Sequence, residues 1–167
     1  MSETCDVAHG TAPADPATRT LVAVFASPVS RYLLKFARDL GFHVALVEPD
    51  AARATDVPDG IEAATTPAAL DGTADVVVTD HHRPELGDVL KAALDQSPRW
   101  IGVLGNPRHP GPHVAALQGL GVPDAEIARV HRPVGLNIGS RTPPEIALAT
   151  LAGLLADRNG RPGGFDF

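Results

Sequence analysis

Residues 22–50 read VAVFASPVSRYLLKFARDLGFHVALVEPD, and this stretch decides the fold. An apolar run, a short turn, an amphipathic helical pattern and a second apolar run follow one another, and an acidic residue comes next. A strand, a helix and a parallel strand in this order form the βαβ unit that holds a dinucleotide in many α/β proteins. The glycines of a G-x-G-x-x-G phosphate loop are missing, because residues 25–30 read FASPVS. The stretch predicts the nucleotide-binding frame without its usual phosphate loop.

The two strands of this unit are predicted at Leu21–Phe25 and His43–Val47. Ser27 suits the N-cap of the helix between them, and Pro28 suits its first turn because proline has no N–H to leave unpaired. Gly41 is typical of the residue that ends a helix.

The same alternation of apolar runs and helical patterns continues to residue 158. Further strands are predicted at Ile61–Ala64, Ala74–Val78 and Trp100–Leu104. Further helices are predicted at Pro84–Leu94, His113–Gly119, Pro123–Ala128 and Pro143–Arg158. Such alternation predicts an α/β fold, a Rossmann-like doubly wound and mostly parallel sheet in three α/β/α layers. Residues 1–20 are predicted to be a flexible leader, residues 21–158 the domain, and residues 159–167 an irregular tail.

The composition indicates a cytoplasmic globular protein of one domain. Of 167 residues, 44% are hydrophobic, 4% aromatic and 20% charged, which suits a core of small aliphatic side chains. The net charge of -6 without a basic stripe argues against a nucleic-acid partner. No run approaches the roughly 18 apolar residues of a membrane span. The single cysteine, Cys5, excludes an internal disulfide and fits a reducing compartment.

A ligand of an open α/β sheet binds beyond the carboxyl ends of the strands. The candidate binding residues are those that the predicted loops bring to this edge: Ala26, Ser27, Val29, Ser30, Glu48, Asp80, His81, Gly105, Asn106, Gly135, Asn137, Gly139, Ser140 and Arg141. The hydroxyls of Ser27 and Ser30 are expected to contact a phosphate at the helix N-terminus, where N–H groups favour anions. The alternative is that Ser27 only caps the helix.

Glu48 follows the second strand about 20 residues beyond the turn, where a carboxylate takes the ribose hydroxyls of a nucleotide. The alternative for Glu48 is a solvated strand end. No metal site is predicted, because a metal needs three or four ligands and the adjacent imidazoles of His81 and His82 point apart. No catalytic set of serine or cysteine with histidine can be assembled either.

The loop GLNIGSRT, residues 135–142, combines glycines with polar side chains. Gly135 and Gly139 permit unusual backbone angles or a close approach to a ligand. Thr142 and Glu145 predict a capping box for the last helix. Since that box does not account for Arg141, we expect Arg141 to hold an anion.

Four stretches of the sequence resemble one known family. The run RPVGLNIGSRTPPEIALATLAGLLA (residues 132–156) resembles the closing signature of the XdhC/CoxI family, the accessory proteins of xanthine dehydrogenase and related molybdenum hydroxylases. WIGVLGNPRHP (100–110), VVVTDHH (76–82) and LGFHVALVEPD (40–50) resemble its strands in the same order. The resemblance covers the C-terminal, Rossmann-like domain of that family. The family's preceding domain, with its functional cysteine, has no counterpart in residues 1–20, and Cys5 lacks the surroundings of that motif.

The resemblance implies a cofactor-binding chaperone rather than an enzyme. Such a protein binds molybdenum cofactor (molybdopterin) or its nucleotide form, protects it during sulfuration and delivers it to the apo form of a molybdenum hydroxylase. The implied partners are that apo-enzyme and a separate cysteine-bearing chain of the XdhC type, and a homodimer is compatible with the sequence.

The sequence departs from the family pattern at three places, all of them in the expected crevice. Residues 25–28 replace a glycine-alanine-glycine-histidine turn, Asn137 replaces an aspartate, and residues 105–108 replace a glycine-serine-arginine turn. These changes make NAD(P) a weaker candidate than molybdenum cofactor. The alternative functions are an NAD(P)-binding oxidoreductase and an interaction module that kept the fold without a ligand.

Overall fold

The computed structural model describes residues 18–67 and 69–165. The described residues form six strands: β1 (Thr20–Val24), β2 (His43–Val47), β3 (Ala63–Ala64), β4 (Ala74–Val78), β5 (Trp100–Val103) and β6 (Val130–His131). They also form five α-helices: α1 (Pro28–Asp39), α2 (Leu86–Leu94), α3 (Pro112–Gly119), α4 (Asp124–Ile127) and α5 (Pro143–Arg158). A short 3-10 helix occupies Ala51–Arg53. Within the described ranges, no helix is long and apolar enough to cross a lipid bilayer.

The six strands form one parallel sheet in the order β3-β2-β1-β4-β5-β6. The chain reverses its direction of travel across the sheet between β1 and β4, so the carboxyl ends of these two strands flank the switch point at which such folds bind ligands. Val24 of β1 pairs with Val47 of β2 and with Val78 of β4, which brings the three following turns to one edge. This topology confirms the predicted Rossmann-like fold.

Alternating strand residues point into two separate cores, one on each face of the sheet. Val22, Val76 and Ile101 contribute to the core beneath α2, α3 and α4. Leu21, Ala23 and Val77 contribute to the core beneath α1 and α5. The predicted three-layer arrangement is therefore confirmed, and both helical layers direct their N-termini to the carboxyl edge of the sheet.

Several element bounds differ from the sequence-based expectation. Strand β6 was not predicted, because two residues of which only Val130 is buried give no periodic pattern. Helix α2 begins at Leu86 rather than Pro84, because residues 83–86 form a turn in which the N–H of Leu86 donates to the carbonyl oxygen of Arg83 (3.2 Å). Strand β1 begins at Thr20, so it includes the last residue of the predicted leader. Residues 1–17, with Cys5, and residues 166–167 lie outside the described residues.

Candidate functional site

The turn after β1 keeps the backbone conformation of a glycine turn without its glycine. Phe25 has a φ of 71°, which lies in the left-handed region that side chains other than glycine rarely adopt. Its N–H donates to the carbonyl oxygen of Val47 (2.8 Å), and its ring is fully buried. The guanidinium carbon of Arg83 lies 4.5 Å from the centre of that ring. Because Phe25 also belongs to the core beneath α2, α3 and α4, packing of its ring holds the strained backbone in place.

The side chains at the start of α1 bond to one another. Ser27 is the N-cap, and its hydroxyl accepts from the N–H of Ser30 (3.0 Å). In return, the hydroxyl of Ser30 accepts from the N–H of Ser27 (2.8 Å). The Ser27 hydroxyl also donates to the hydroxyl of Thr79 (2.9 Å), which reaches the carbonyl oxygen of Phe25 (2.9 Å). This network connects the turn after β1 to the turn after β4.

Few N–H groups at the N-terminus of α1 are free to donate to a phosphate. Pro28 has no N–H, and the N–H of Ser30 is already bonded to Ser27. Among the described residues, the N–H of Val29 is the first-turn donor without a protein acceptor. The predicted cap is confirmed, whereas the contact of Ser27 and Ser30 with a phosphate stays a prediction.

Glu48, the acidic residue after β2, is buried and paired. Its carboxylate accepts two hydrogen bonds from Arg83, at 2.7 and 3.0 Å, and both side chains are at least 95% buried. The N–H groups of Ala26 (2.9 Å) and Asp50 (3.0 Å) donate to the same carboxylate. Glu85 binds the other side of the guanidinium at 3.2 Å. The solvated strand end considered for Glu48 is therefore wrong, and a ribose would have to compete with Arg83.

Burial and hydrogen bonding act in opposite directions on this pair. Burial raises the pKa of Glu48, but the hydrogen bonds from Arg83, Ala26 and Asp50 outweigh it and hold that pKa below its usual value. The hydrogen bond to Glu48 likewise raises the pKa of Arg83. Both groups are charged at neutral pH, and each satisfies the other.

A second group of polar side chains lies beyond β4, β5 and β6. Arg132, which follows β6, donates from Nη1 to the carbonyl oxygen of His109 (2.8 Å) and from Nη2 to that of Asn106 (2.9 Å). The guanidinium presses on Gly105, where an added Cβ would lie 2.5 Å from Nη2. Arg132 thereby fastens the loop between β5 and α3 to the edge of the sheet.

Two histidines, His81 and His82, follow β4 at the same edge of the sheet. Burial lowers the pKa of His81, and the charges of His82 and Arg132 lower it further, so His81 is neutral at pH 7. The rings of His81 and His82 lie 4.0 Å apart. Asp80 accepts from the N–H of His82 (2.9 Å) and so shapes the turn rather than binding Arg132.

The loop at residues 135–141 packs along α5. Gly135 has a φ of 92°, and a Cβ there would lie 3.0 Å from the backbone of Ala149. The close approach that Gly135 permits is therefore to the backbone of α5 and not to a ligand. The N–H groups of Arg141 (2.7 Å) and Thr142 (3.1 Å) donate to Glu145, which confirms the predicted capping box. The Arg141 guanidinium is exposed, and within residues 18–67 and 69–165 it forms no ion pair.

The fourteen candidate residues fall into three groups by the elements they adjoin, and one of them, Gly135, packs against the middle of α5 rather than at its start. The group at the start of α1 consists of Ala26, Ser27, Val29, Ser30 and Glu48. The group beyond β4 and β5 consists of Asp80, His81, Gly105 and Asn106. The group on the α5 loop consists of Gly135, Asn137, Gly139, Ser140 and Arg141. Sequence reasoning missed Arg83, His113 and Arg132 as site residues, since a lone arginine or histidine carries no signal of its distant partner.

A cavity of about 300 Å³ lies away from the first two groups, between the edge strand and the end of α5. Trp100, His131, Gly135 and Arg161 are among its lining residues, and the Trp100 and His131 rings stack at 5.1 Å. In the part of the chain that the structure describes, no three histidine, cysteine, aspartate or glutamate side chains are grouped as metal ligands.

Comparisons with known proteins identify relatives of this architecture. Residues 21–154 match the family model of the XdhC Rossmann domain. Over 154 residues the chain is 33% identical to the uncharacterized protein YqeB of Escherichia coli K12, covering 86% of this chain and 28% of YqeB. A crystal structure described as a xanthine dehydrogenase from Bacillus halodurans matches with a TM-score of 0.69 at 24% identity, covering 86% of this chain and 45% of that one. The chain spans less than half the length of either protein.

Proposed function

This chain belongs to the XdhC Rossmann-domain family, and on that premise we propose that it is a cytoplasmic accessory protein of a molybdenum hydroxylase. In this proposal it binds molybdenum cofactor, or the nucleotide form of that cofactor, and hands it to the apo-hydroxylase as cargo. The observation that carries the proposal is the family match, which covers residues 21–154 and therefore all of the sheet except Thr20, and α5 up to Leu154.

The distribution of polar groups favours the β4–β6 half of the crevice for this cargo. In the other half, Ser27 and Ser30 are hydrogen-bonded to each other, and the Glu48 carboxylate is hydrogen-bonded to Arg83. Beyond β4 and β5, His81 is half-buried and Asn106 is exposed. The cofactor carries a phosphate or a nucleotide diphosphate, and guanidinium and imidazole groups are suitable donors to such an anion.

Two buried polar atoms in this half test whether the residues fit a phosphate-bearing group. Nε of Arg132 and Nδ1 of His113 lack a hydrogen-bond partner among the described residues. Buried polar groups without partners are rare in native proteins, and an absent ion or ligand is one explanation. The residues present therefore fit the phosphate end of the cofactor, whose redox chemistry would be supplied only after transfer to the client enzyme.

An NAD(P)-binding oxidoreductase is a weaker candidate for a specific reason. A dinucleotide in the usual pose places its pyrophosphate at the N-terminus of α1 and its ribose on the acidic residue after β2. The serine capping box occupies the first position and the Arg83 guanidinium occupies the second. Because these polar groups already bond within the protein, the same observation favours the third candidate, an interaction module without a ligand.

Native mass spectrometry of the protein purified from its own host distinguishes these candidates. The proposal expects an adduct with the mass of molybdopterin or of its nucleotide form, which acid denaturation releases. An adduct with the mass of NAD or NADP would favour the oxidoreductase. A bare protein that stays bare after incubation with molybdenum cofactor would favour the interaction module.

The proposed partners are tested in the same preparation. We propose that the apo-hydroxylase and a cysteine-bearing chain of the XdhC type bind this domain, and that a second copy can complete a homodimer. Affinity purification with the cofactor present should recover a hydroxylase subunit. Recovery of the domain alone, loaded with cofactor, would remove the partner from the proposal and leave the carrier.

A further inference from the structure

We infer that Arg132 is the centre of a phosphate-binding site formed by the loop at residues 105–111 and the first turn of α3, with His113. The inference rests on the proposed function and deepens it: it names the site for the phosphate end of the cofactor, a site that would bind simple phosphate-class oxyanions as well. Four independent features of the described residues carry it.

The first feature is the charge of Arg132. Arg83, Arg99, Arg129 and Arg158 each form an ion pair with a carboxylate. Among the described residues, Arg132 has no carboxylate within ion-pair distance, and carbonyl oxygens are its acceptors instead. A partly buried guanidinium without a counter-charge loses solvation that an anion would restore.

The second feature is the pair of unsatisfied atoms. The side chain of His113 is in the first turn of α3 and is 6% exposed, and its Nδ1 has no partner in the described protein. Nε of Arg132 is likewise buried and has no hydrogen-bond partner among the described residues. Both residues contact the loop at 105–111, so the two unsatisfied atoms belong to one place in the fold.

The third feature is the pair of glycines in this loop. A Cβ on Gly105 would lie 2.5 Å from Nη2 of Arg132, and a Cβ on Gly111 would lie 2.7 Å from Nδ1 of His113. Each glycine removes a methyl group that would push one of these two side chains away from the loop. The loop is therefore shaped around the cationic and imidazole groups.

The fourth feature is the start of α3. Its N-cap is Gly111, which has no side chain to cap the first N–H groups, and Pro112 occupies the next position. The positive end of the helix dipole is therefore uncovered beside the guanidinium. A tetrahedral oxyanion accepts hydrogen bonds from several directions. It therefore suits a guanidinium, an imidazole and a helix N-terminus that adjoin the same loop better than a planar carboxylate does.

Histidine side-chain NMR of the wild-type protein tests the site without a substitution. Inorganic phosphate is added while the ring signals are followed. The ring signals of His113 should shift and saturate, whereas those of His43, exposed at the opposite edge of the sheet, should not move. Uniform small shifts of all histidines, or no shift at His113, would overturn the inference.

Calorimetry with inorganic pyrophosphate supplies the matched comparison. Arg132→Gln should weaken binding by about tenfold or more, the size of a lost charge-assisted hydrogen bond. Arg129→Gln removes an equal charge from the residue before β6, where Glu126 already pairs with it, and should leave the affinity unchanged. Equal losses in both variants would assign the binding to net charge and overturn the site. If Arg132→Gln fails to fold, the NMR titration decides alone.

The two proposals fail separately. Phosphate binding at Arg132 in a protein that takes no molybdenum cofactor would leave this site standing and remove the proposed function. Unchanged cofactor affinity in a folded Arg132→Gln variant would leave the function standing and remove this site.

Discussion

The carboxylate of Glu48 and the guanidinium of Arg83 face each other inside the protein and share two hydrogen bonds, at 2.7 and 3.0 Å. The two residues are 35 positions apart and connect the end of β2 to the turn that precedes α2. In a dinucleotide-binding protein the acidic residue at this place would face the ligand. Here it faces an arginine of its own chain. The βαβ unit is therefore kept, while the carboxylate that would bind a ribose is bonded to Arg83 instead.

Removing the charge of Glu48 should destabilise the protein. Glu48→Gln leaves the Arg83 guanidinium buried with only the more exposed Glu85 as a counter-charge, and we expect a loss of about 3 kcal/mol in the free energy of unfolding. Urea denaturation measures it. Asp95→Asn, which breaks the exposed pair with Lys91, is the control and should cost less than about 1 kcal/mol. Equal small losses in both variants would contradict a tightly bound internal pair.

Titration of Glu48 should contribute to the loss of stability of the protein at low pH. Its pKa is below its ordinary value of 4.5 in the folded protein, so the unfolded chain binds more protons near that pH. The stabilising contribution is complete above that ordinary value, which the unfolded chain keeps, and is lost as the pH falls through the lower pKa of the folded state. Urea titrations below pH 4.5 should therefore give a shallower loss of stability in Glu48→Gln than in the wild type. Parallel curves would show that Glu48 titrates normally.

Ser27 should matter for stability, because it caps α1 and bonds to Thr79. Ser27→Ala removes both contacts and should cost about 1–2 kcal/mol. Thermal unfolding followed by circular dichroism is the measurement. Thr66→Ala, at an exposed position, serves as the control and should stay within about 0.5 kcal/mol of the wild type. A loss in Ser27→Ala no larger than in the control would mean that the cap is not formed in solution.

Arg141 should contribute to anion binding from the loop that precedes α5. Its guanidinium is exposed next to the N-terminus of α5, so Arg141→Ala should weaken cofactor binding by about 1–3 kcal/mol without unfolding the protein. Calorimetry compares it with Lys35→Ala, which removes an exposed positive charge from α1. An affinity that is the same in all three proteins would remove Arg141 from the binding site.

The fold was predictable because each element carries its own local signal. The apolar runs at residues 43–47 and 74–78 gave the bounds of β2 and β4, and the Thr142–Glu145 pattern gave the start of α5. Strand β6 has two residues and is formed by pairing with β5, so the information for it lies outside its own sequence.

The site was predictable only in outline, for a related physical reason. Its location follows from topology, since parallel strands bring their carboxyl ends to one edge. The pairing of Glu48 with Arg83, and of Arg132 with the carbonyls of Asn106 and His109, depends on contacts across 23 to 35 residues. Which charges are satisfied internally therefore became visible only in the structure.

Equilibrium dialysis of the wild-type protein against molybdenum cofactor together with an excess of NAD tests the central claim most directly. The pterin is followed by its fluorescence and NAD by its absorbance on the two sides of the membrane. We expect pterin to accumulate with the protein and NAD to distribute equally, because the α1 N-terminus and Glu48 are engaged within the protein. Retention of NAD with no retention of pterin would contradict the account.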